Sequence, residues 1–134
     1  MAPEPAKPEA AVEQLMWNYT KAWNRHDAAA IAKNFYRTGP TVEEQTASLE
    51  RSFENLRSQG YHHSDIFEIK ACLTGADTAW AGMKFSRLKA DGQPLPPKDR
   101  ASSYTLTKFA DGWRITKVGV GGVSADKPLA CPAG

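Results

Sequence analysis

The sequence holds no apolar run approaching the ~20 residues a membrane-spanning helix requires. Its opening, Met1-Ala2-Pro3-Glu4-Pro5-Ala6-Lys7-Pro8, lacks the apolar stretch of a signal peptide. Charge of one sign is equally scarce. The 17 basic and 15 acidic residues leave a net charge of +2, spread along the chain, which argues against a nucleic-acid groove. Only two cysteines occur, Cys72 and Cys131, far apart and without a cysteine–histidine cluster nearby, so no zinc spacing exists. Cys72 falls in an apolar strand pattern and Cys131 in a Pro/Ala/Gly tail. Two free thiols in a reducing, cytoplasmic setting is the expectation, with pairing as the alternative. Gly119, Gly121 and Gly122 lack the strand–turn–helix setting of a phosphate loop, and no Ser-His-Asp or Cys-His nucleophile pattern stands out. No cofactor and no metal is expected.

What is present describes a single domain. The chain has 134 residues, of which 41% are hydrophobic and 24% charged, enough for one core and too little for two. Residues 1–8 carry three prolines and read as a flexible lead-in. Val12, Leu15, Met16, Tyr19, Ala22 and Trp23 form an i, i+3, i+4, i+7 stripe, so a first helix is expected from Glu9 to Arg25. Asn24-Arg25-His26 breaks the stripe, and Asp27 is suited to cap a second helix running from Ala28 to Tyr36. Arg37-Thr38-Gly39-Pro40 ends it. Thr41-Val42-Glu43-Glu44 is a capping box, opening a third helix that runs to about Gln59 and stops at Gly60.

At Tyr61 the period changes from helical to alternating. Strands are expected over Ile66–Leu73, Thr78–Leu88, Arg100–Phe109 and Trp113–Val120, separated by Gly75-Ala76-Asp77, a proline-rich loop and the tight turn Ala110-Asp111-Gly112. Along the second strand, Ala79, Ala81, Met83 and Phe85 alternate with Trp80, Gly82 and Lys84. The domain spans residues 9–120, and the glycine- and proline-rich tail 121–134 reads as loose.

Three helices, an Asn-x-His-Asp corner, four meandering strands and a closing Asp-Gly-Trp-Arg-Ile strand resemble the nuclear-transport-factor-2-like superfamily. That superfamily includes ketosteroid isomerases, SnoaL-like polyketide cyclases and scytalone dehydratase. The resemblance covers residues 9–120 and is strongest over Tyr19–Phe35 and Tyr104–Val118. It implies an α+β fold in which three N-terminal helices pack in the concave face of a curved antiparallel sheet of four or more strands. The result is a cone-shaped, cystatin-like pocket. The short strand that such proteins commonly carry after the second helix has only Arg37-Thr38-Gly39-Pro40 to occupy here, so it is reduced or missing.

The same resemblance nominates site residues. Tyr19 stands eight residues before Asp27, the spacing of the ketosteroid isomerase tyrosine that donates to a developing enolate. The plainer reading makes it one more core aromatic. Glu43 and Glu44 lie near that family's carboxylate base, although the capping box and the helix dipole already account for both. The family's second acid has no counterpart in Ala101-Ser102-Ser103-Tyr104. His62-His63-x-Asp65 is similar to a His–Asp base. His63 and Asp65 share a strand face and can pair, or else mark a wet strand entrance. His26 and Asp27 read as cap and surface groups. Trp23, Phe35, Phe53, Trp80, Met83, Tyr104 and Trp113 are candidate pocket walls, or simply core.

Three functions are compatible with these residues. One is a cofactor-free isomerase, cyclase or dehydratase acting on an apolar carbonyl compound, with Tyr19 as donor and His63–Asp65 or Glu43 moving the proton. The second is a non-catalytic pocket for an apolar small molecule. The third is a dimerisation or protein-interaction module. A homodimer through the open sheet face is expected under all three.

Overall fold

The computed structural model describes residues 7–132. Most of the proline-rich lead-in (residues 1–6) and the last two tail residues lie outside the described residues. Helix α1 spans Glu9–Asn24 and buries the expected stripe, Val12, Met16, Tyr19 and Ala22 among it. Asp27 caps the next helix by accepting from the Ala30 amide at 3.1 Å. Helix α2 begins at Ala28–Ala30 and widens at once into a π-helical turn over Ile31–Phe35, closed by the Tyr36 amide on the Ile31 carbonyl. Helix α3 spans Val42–Ser58. Its capping box is complete: the Glu44 amide donates to the Thr41 hydroxyl, and the Thr41 amide donates to the Glu44 carboxylate.

Strands β1 (Tyr61–Leu73), β2 (Thr78–Lys89), β3 (Arg100–Phe109) and β4 (Gly112–Val118) form one antiparallel meander in the order β1-β2-β3-β4. The short strand expected to be reduced or missing after the second helix is reduced to a single parallel bridge between Tyr36 and Ile115, reinforced by the Arg37 amide on the Ile115 carbonyl at 2.8 Å. The sheet's inner face meets the helices in one core that includes Ala79, Ala81, Met83, Leu106 and Ile115. In pairing, Leu73 faces Ala79, Ala71 faces Ala81 and Ile69 faces Met83, so β1 and β2 present matched apolar rows.

The outer face departs from expectation. Cys72 pairs across the strands with Trp80, and Cys72 is joined to Cys131 by a disulfide with Cα atoms 5.9 Å apart. The expectation of two free thiols is therefore corrected, and with it the premise for a reducing compartment. The spacing of two cysteines could not reveal this, because the pairing depends on the tail doubling back across the sheet. The tail is not loose where it is described. Leu129 is only 8% exposed, and it packs against Gly82. A Cβ added at Gly82 would sit 3.1 Å from Leu129 Cδ2 and 2.6 Å from the Trp80 ring. No helix among the described residues is long and apolar enough to cross a membrane.

Candidate functional site

Between α1 and the inner face of the sheet lies a cavity of about 150 Å³. Its apolar wall comes from Trp23, Ile66, Met83, Phe85 and Val118, and its polar wall from Tyr19, Tyr36, Ser102, Tyr104 and Arg87, with Thr20, Asn24 and Ser64 completing the lining. Helical spacing puts Tyr19 and Trp23 one turn apart on the buried side of α1, where their rings lie 6.0 Å apart. Strand alternation puts Met83, Phe85 and Arg87 on one face of β2, and Ser102 and Tyr104 on the facing row of β3.

Hydroxyls dominate the polar side. Tyr19 and Tyr36 share a hydrogen bond of 2.7 Å between their hydroxyls, and the Ser102 and Tyr104 hydroxyls meet at 2.6 Å. The Tyr19 ring sits 5.7 Å from that of Tyr36 and 5.9 Å from that of Tyr104. Burial pushes the Tyr19 phenol well above its ordinary value of 10.0, and the neighbouring Tyr36 and Tyr104 push the same way. Burial likewise raises Tyr36, against a smaller opposing effect of its bond to Tyr19. It raises Tyr104 too, against the opposing bond from Ser102. All three phenols therefore stay protonated across the physiological range and act as hydrogen-bond donors, never as phenolates.

Tyr36 reaches this cluster because of the π-helical turn. The extra residue per turn carries the chain out of helical register, so Tyr36 leaves α2 in an extended conformation and bridges to β4. At the end of α1, Asn24 ties that helix to β1: its side chain donates to the Ser64 carbonyl at 3.0 Å and accepts from the Ser64 amide at 2.8 Å. This two-bond clamp holds the mouth of the cavity in place. His26, at φ 54°, is stacked between Phe53 and Tyr61 at 4.9 and 5.5 Å. Its Nδ1 faces the Arg57 guanidinium at 3.1 Å and its Nε2 faces the His62 carbonyl at 2.7 Å. Those partners assign the proton to Nε2. His26 is thus a bracket between α3 and β1 rather than a surface group.

Of the eleven residues nominated from sequence, Tyr19, Trp23, Met83 and Tyr104 line the cavity. Phe35 packs edge-on behind Tyr19 at 6.0 Å, and Phe53 lies under Trp23 at 4.6 Å in the core. Trp113 borders the core but not the cavity. Trp80 occupies the outer face beneath the tail, one strand position out of phase with Met83. His63 and Asp65 pair with Leu88 and Ser86, on the side of the sheet opposite Ser64 and Ile66, and so face away from the cavity. The side-chain bond formed by His63 is to His62, not Asp65. Glu43 is exposed in the first turn of α3.

The lining residues that were not nominated include Tyr36, Arg87, Ser102, Ser64 and Asn24. Arg87 carried a readable signal: it continues the Ala79–Ala81–Met83–Phe85 alternation by one more step.

A meander of four antiparallel strands packed against three N-terminal helices defines a small α+β domain of cystatin-like fold. The sequence matches the family described as NTF2-like protein (DUF6841) over residues 8–121, and the chain belongs to that family. No curated protein matches it. Among solved structures it is similar to an NTF2-like protein with a cystatin-like fold from Novosphingobium aromaticivorans. The TM-score is 0.61 at 17% identity, covering 87% of this chain and 84% of that one. A domain of unknown function with a cystatin-like fold from Nostoc punctiforme gives 0.64 at 16% identity, covering 86% and 76%. A protein from Catenulispora acidiphila in complex with S-DNPA gives 0.59 at 16% identity, covering 81% and 88%.

Proposed function

We propose that this protein binds a small, ring-sized molecule carrying an oxygen function, without transforming it. The observation that carries the reading is the composition of the cavity wall: six hydroxyls and a guanidinium face an apolar surface, and among the described residues the lining includes no carboxylate and no imidazole. Donors that stay protonated can hold a ligand oxygen, but none of these groups can take a proton near neutral pH. At about 150 Å³ the space suits one ring, since an engineered apolar cavity of comparable size takes benzene. That argues for a compound smaller than a steroid or a polycyclic polyketide. The complex of the Catenulispora acidiphila relative with S-DNPA supports a ligand-holding role for this fold.

A catalytic reading draws on the Tyr19–Tyr36 hydroxyl pair, which has the form of an oxyanion donor. It requires a base from the ligand or from water. Deuterium exchange at the α-carbon of a bound cyclic ketone separates the two: no exchange above the buffer rate accords with binding alone, whereas accelerated exchange lost in Tyr19→Phe establishes enolisation. Thermal-shift and Trp fluorescence titrations with single-ring and polycyclic compounds test the pocket itself. Saturable binding of single-ring compounds supports it, and binding of polycyclic compounds alone overturns it.

A homodimer through the sheet's outer face belongs to the same proposal in restricted form. The tail already covers the Trp80–Gly82 region, so a second copy has only the remaining face to use. Sedimentation equilibrium gives the answer directly, with a single-chain mass overturning it.

A further inference from the structure

Among the described residues, Arg87 makes no ion pair. It projects from β2 into the cavity lining opposite Ser64, and its backbone carbonyl is occupied by the Leu95 amide at 2.8 Å. Its Nε is shielded from water and has no hydrogen-bond partner. The two ion pairs among the described residues both use Asp111, at the turn between β3 and β4. A second guanidinium adds to the imbalance. Arg100 pairs across the strands with Phe85, one step from Arg87 on the same face, and its Nε is also shielded and unpartnered. One Arg100 Nη donates to the Pro96 carbonyl at 3.0 Å. Burial and the Arg87 charge pull the Arg100 guanidinium below its usual range. Two guanidinium groups on one sheet face, neither paired with a carboxylate among the described residues, favour an anionic partner.

We infer that the ligand is an anionic ring compound, a monocyclic carboxylate whose carboxylate meets Arg87 while its ring fills the space between Trp23, Met83 and Phe85. The guanidinium fork matches a planar carboxylate in a bidentate fashion. The Ser102 and Tyr104 hydroxyls bond each other on the same polar wall, which leaves one of the two O–H groups to donate to a second lone pair of a carboxylate oxygen. This rests on the pocket reading above and narrows its ligand class.

The test is isothermal titration of the full chain with benzoate and phenylacetate against their neutral amides, in the wild type, Arg87→Gln and Arg100→Gln. A charge-assisted bond to Arg87 predicts that each acid binds at least about tenfold more tightly than its amide. Arg87→Gln abolishes that preference, and Arg100→Gln reduces it partially. Equal affinity for acid and amide in the wild type overturns the anionic assignment and leaves the pocket standing. Absence of binding by all four compounds overturns both. The wild-type comparison decides the matter even where a variant fails to fold, and rising salt weakens acid binding alone.

Discussion

Tyr19 of α1 and Tyr36 beyond the π-helical turn of α2 join hydroxyl to hydroxyl at 2.7 Å, linking the first helix to the strand-like bridge that reaches β4. Tyr19→Phe removes one partner while leaving the ring in place. A loss of about 1 kcal/mol is expected, with a fall in Tm of about 3–5 °C by calorimetry. Tyr19→Ala also empties the space between Trp23, Phe35 and Tyr104, so it costs about 3–5 kcal/mol.

Alkaline pH acts on the same groups. Tyr19, Tyr36, Tyr61 and Tyr104 all have raised values in the folded protein. Each keeps its proton when folded and loses it near 10 when unfolded, so the unfolded state binds fewer protons as pH rises. Stability is therefore fully present below pH 10 and declines above it. The slope approaches about 1.4 kcal/mol per pH unit for each such tyrosine until its folded value is reached. Denaturant midpoints measured between pH 8 and 11 check this, and a flat profile contradicts it.

The Cys72–Cys131 bond closes a loop with a sequence separation of 59. Chain-entropy reasoning gives about 4 kcal/mol for a loop of that length. Oxidised protein should alkylate no thiols without denaturant and reductant, by mass spectrometry. The Cys72→Ser/Cys131→Ser double variant should lose stability of that order and release Leu129 from Trp80, seen as a change in Trp emission.

Gly82→Ala tests the tail contact without touching sulfur. The new methyl meets the Trp80 ring and Leu129 at distances that force one of them to move. A loss of about 1–3 kcal/mol is expected, along with faster proteolysis of the tail.

His63→Ala and Glu43→Gln should leave ligand affinity unchanged within error, because neither side chain lines the cavity. Asn24→Ala, which removes both bonds to Ser64, should cost about 2 kcal/mol and weaken ligand affinity in proportion to the loosened mouth.

Local chemistry made much of this molecule legible. The Val12–Met16–Tyr19–Trp23 stripe, the Asp27 cap, the Thr41–Glu44 box and the alternation along β2 act over neighbouring residues, and the structure contains each of them. Part of the cavity, Tyr19, Trp23 and Met83, followed from the same rules, since an inward residue of α1 or β2 faces the space between them. Trp80 shows where aromatic content misleads: alternation already set it on the face opposite Met83, and side-chain size does not override that geometry.

What the sequence determined alone was the element order, the caps and which residues of each element share a face, because these depend on 3.6- and 2-residue periods and on turn chemistry. The tertiary structure decided the rest. The π-helical turn that sends Tyr36 to Tyr19, the bracket of His26 between Phe53 and Tyr61, the tail folded over Gly82 and the disulfide at its end all join residues far apart in sequence. Contacts of that kind have no local signature, since their energy is realised only when separate elements have already docked.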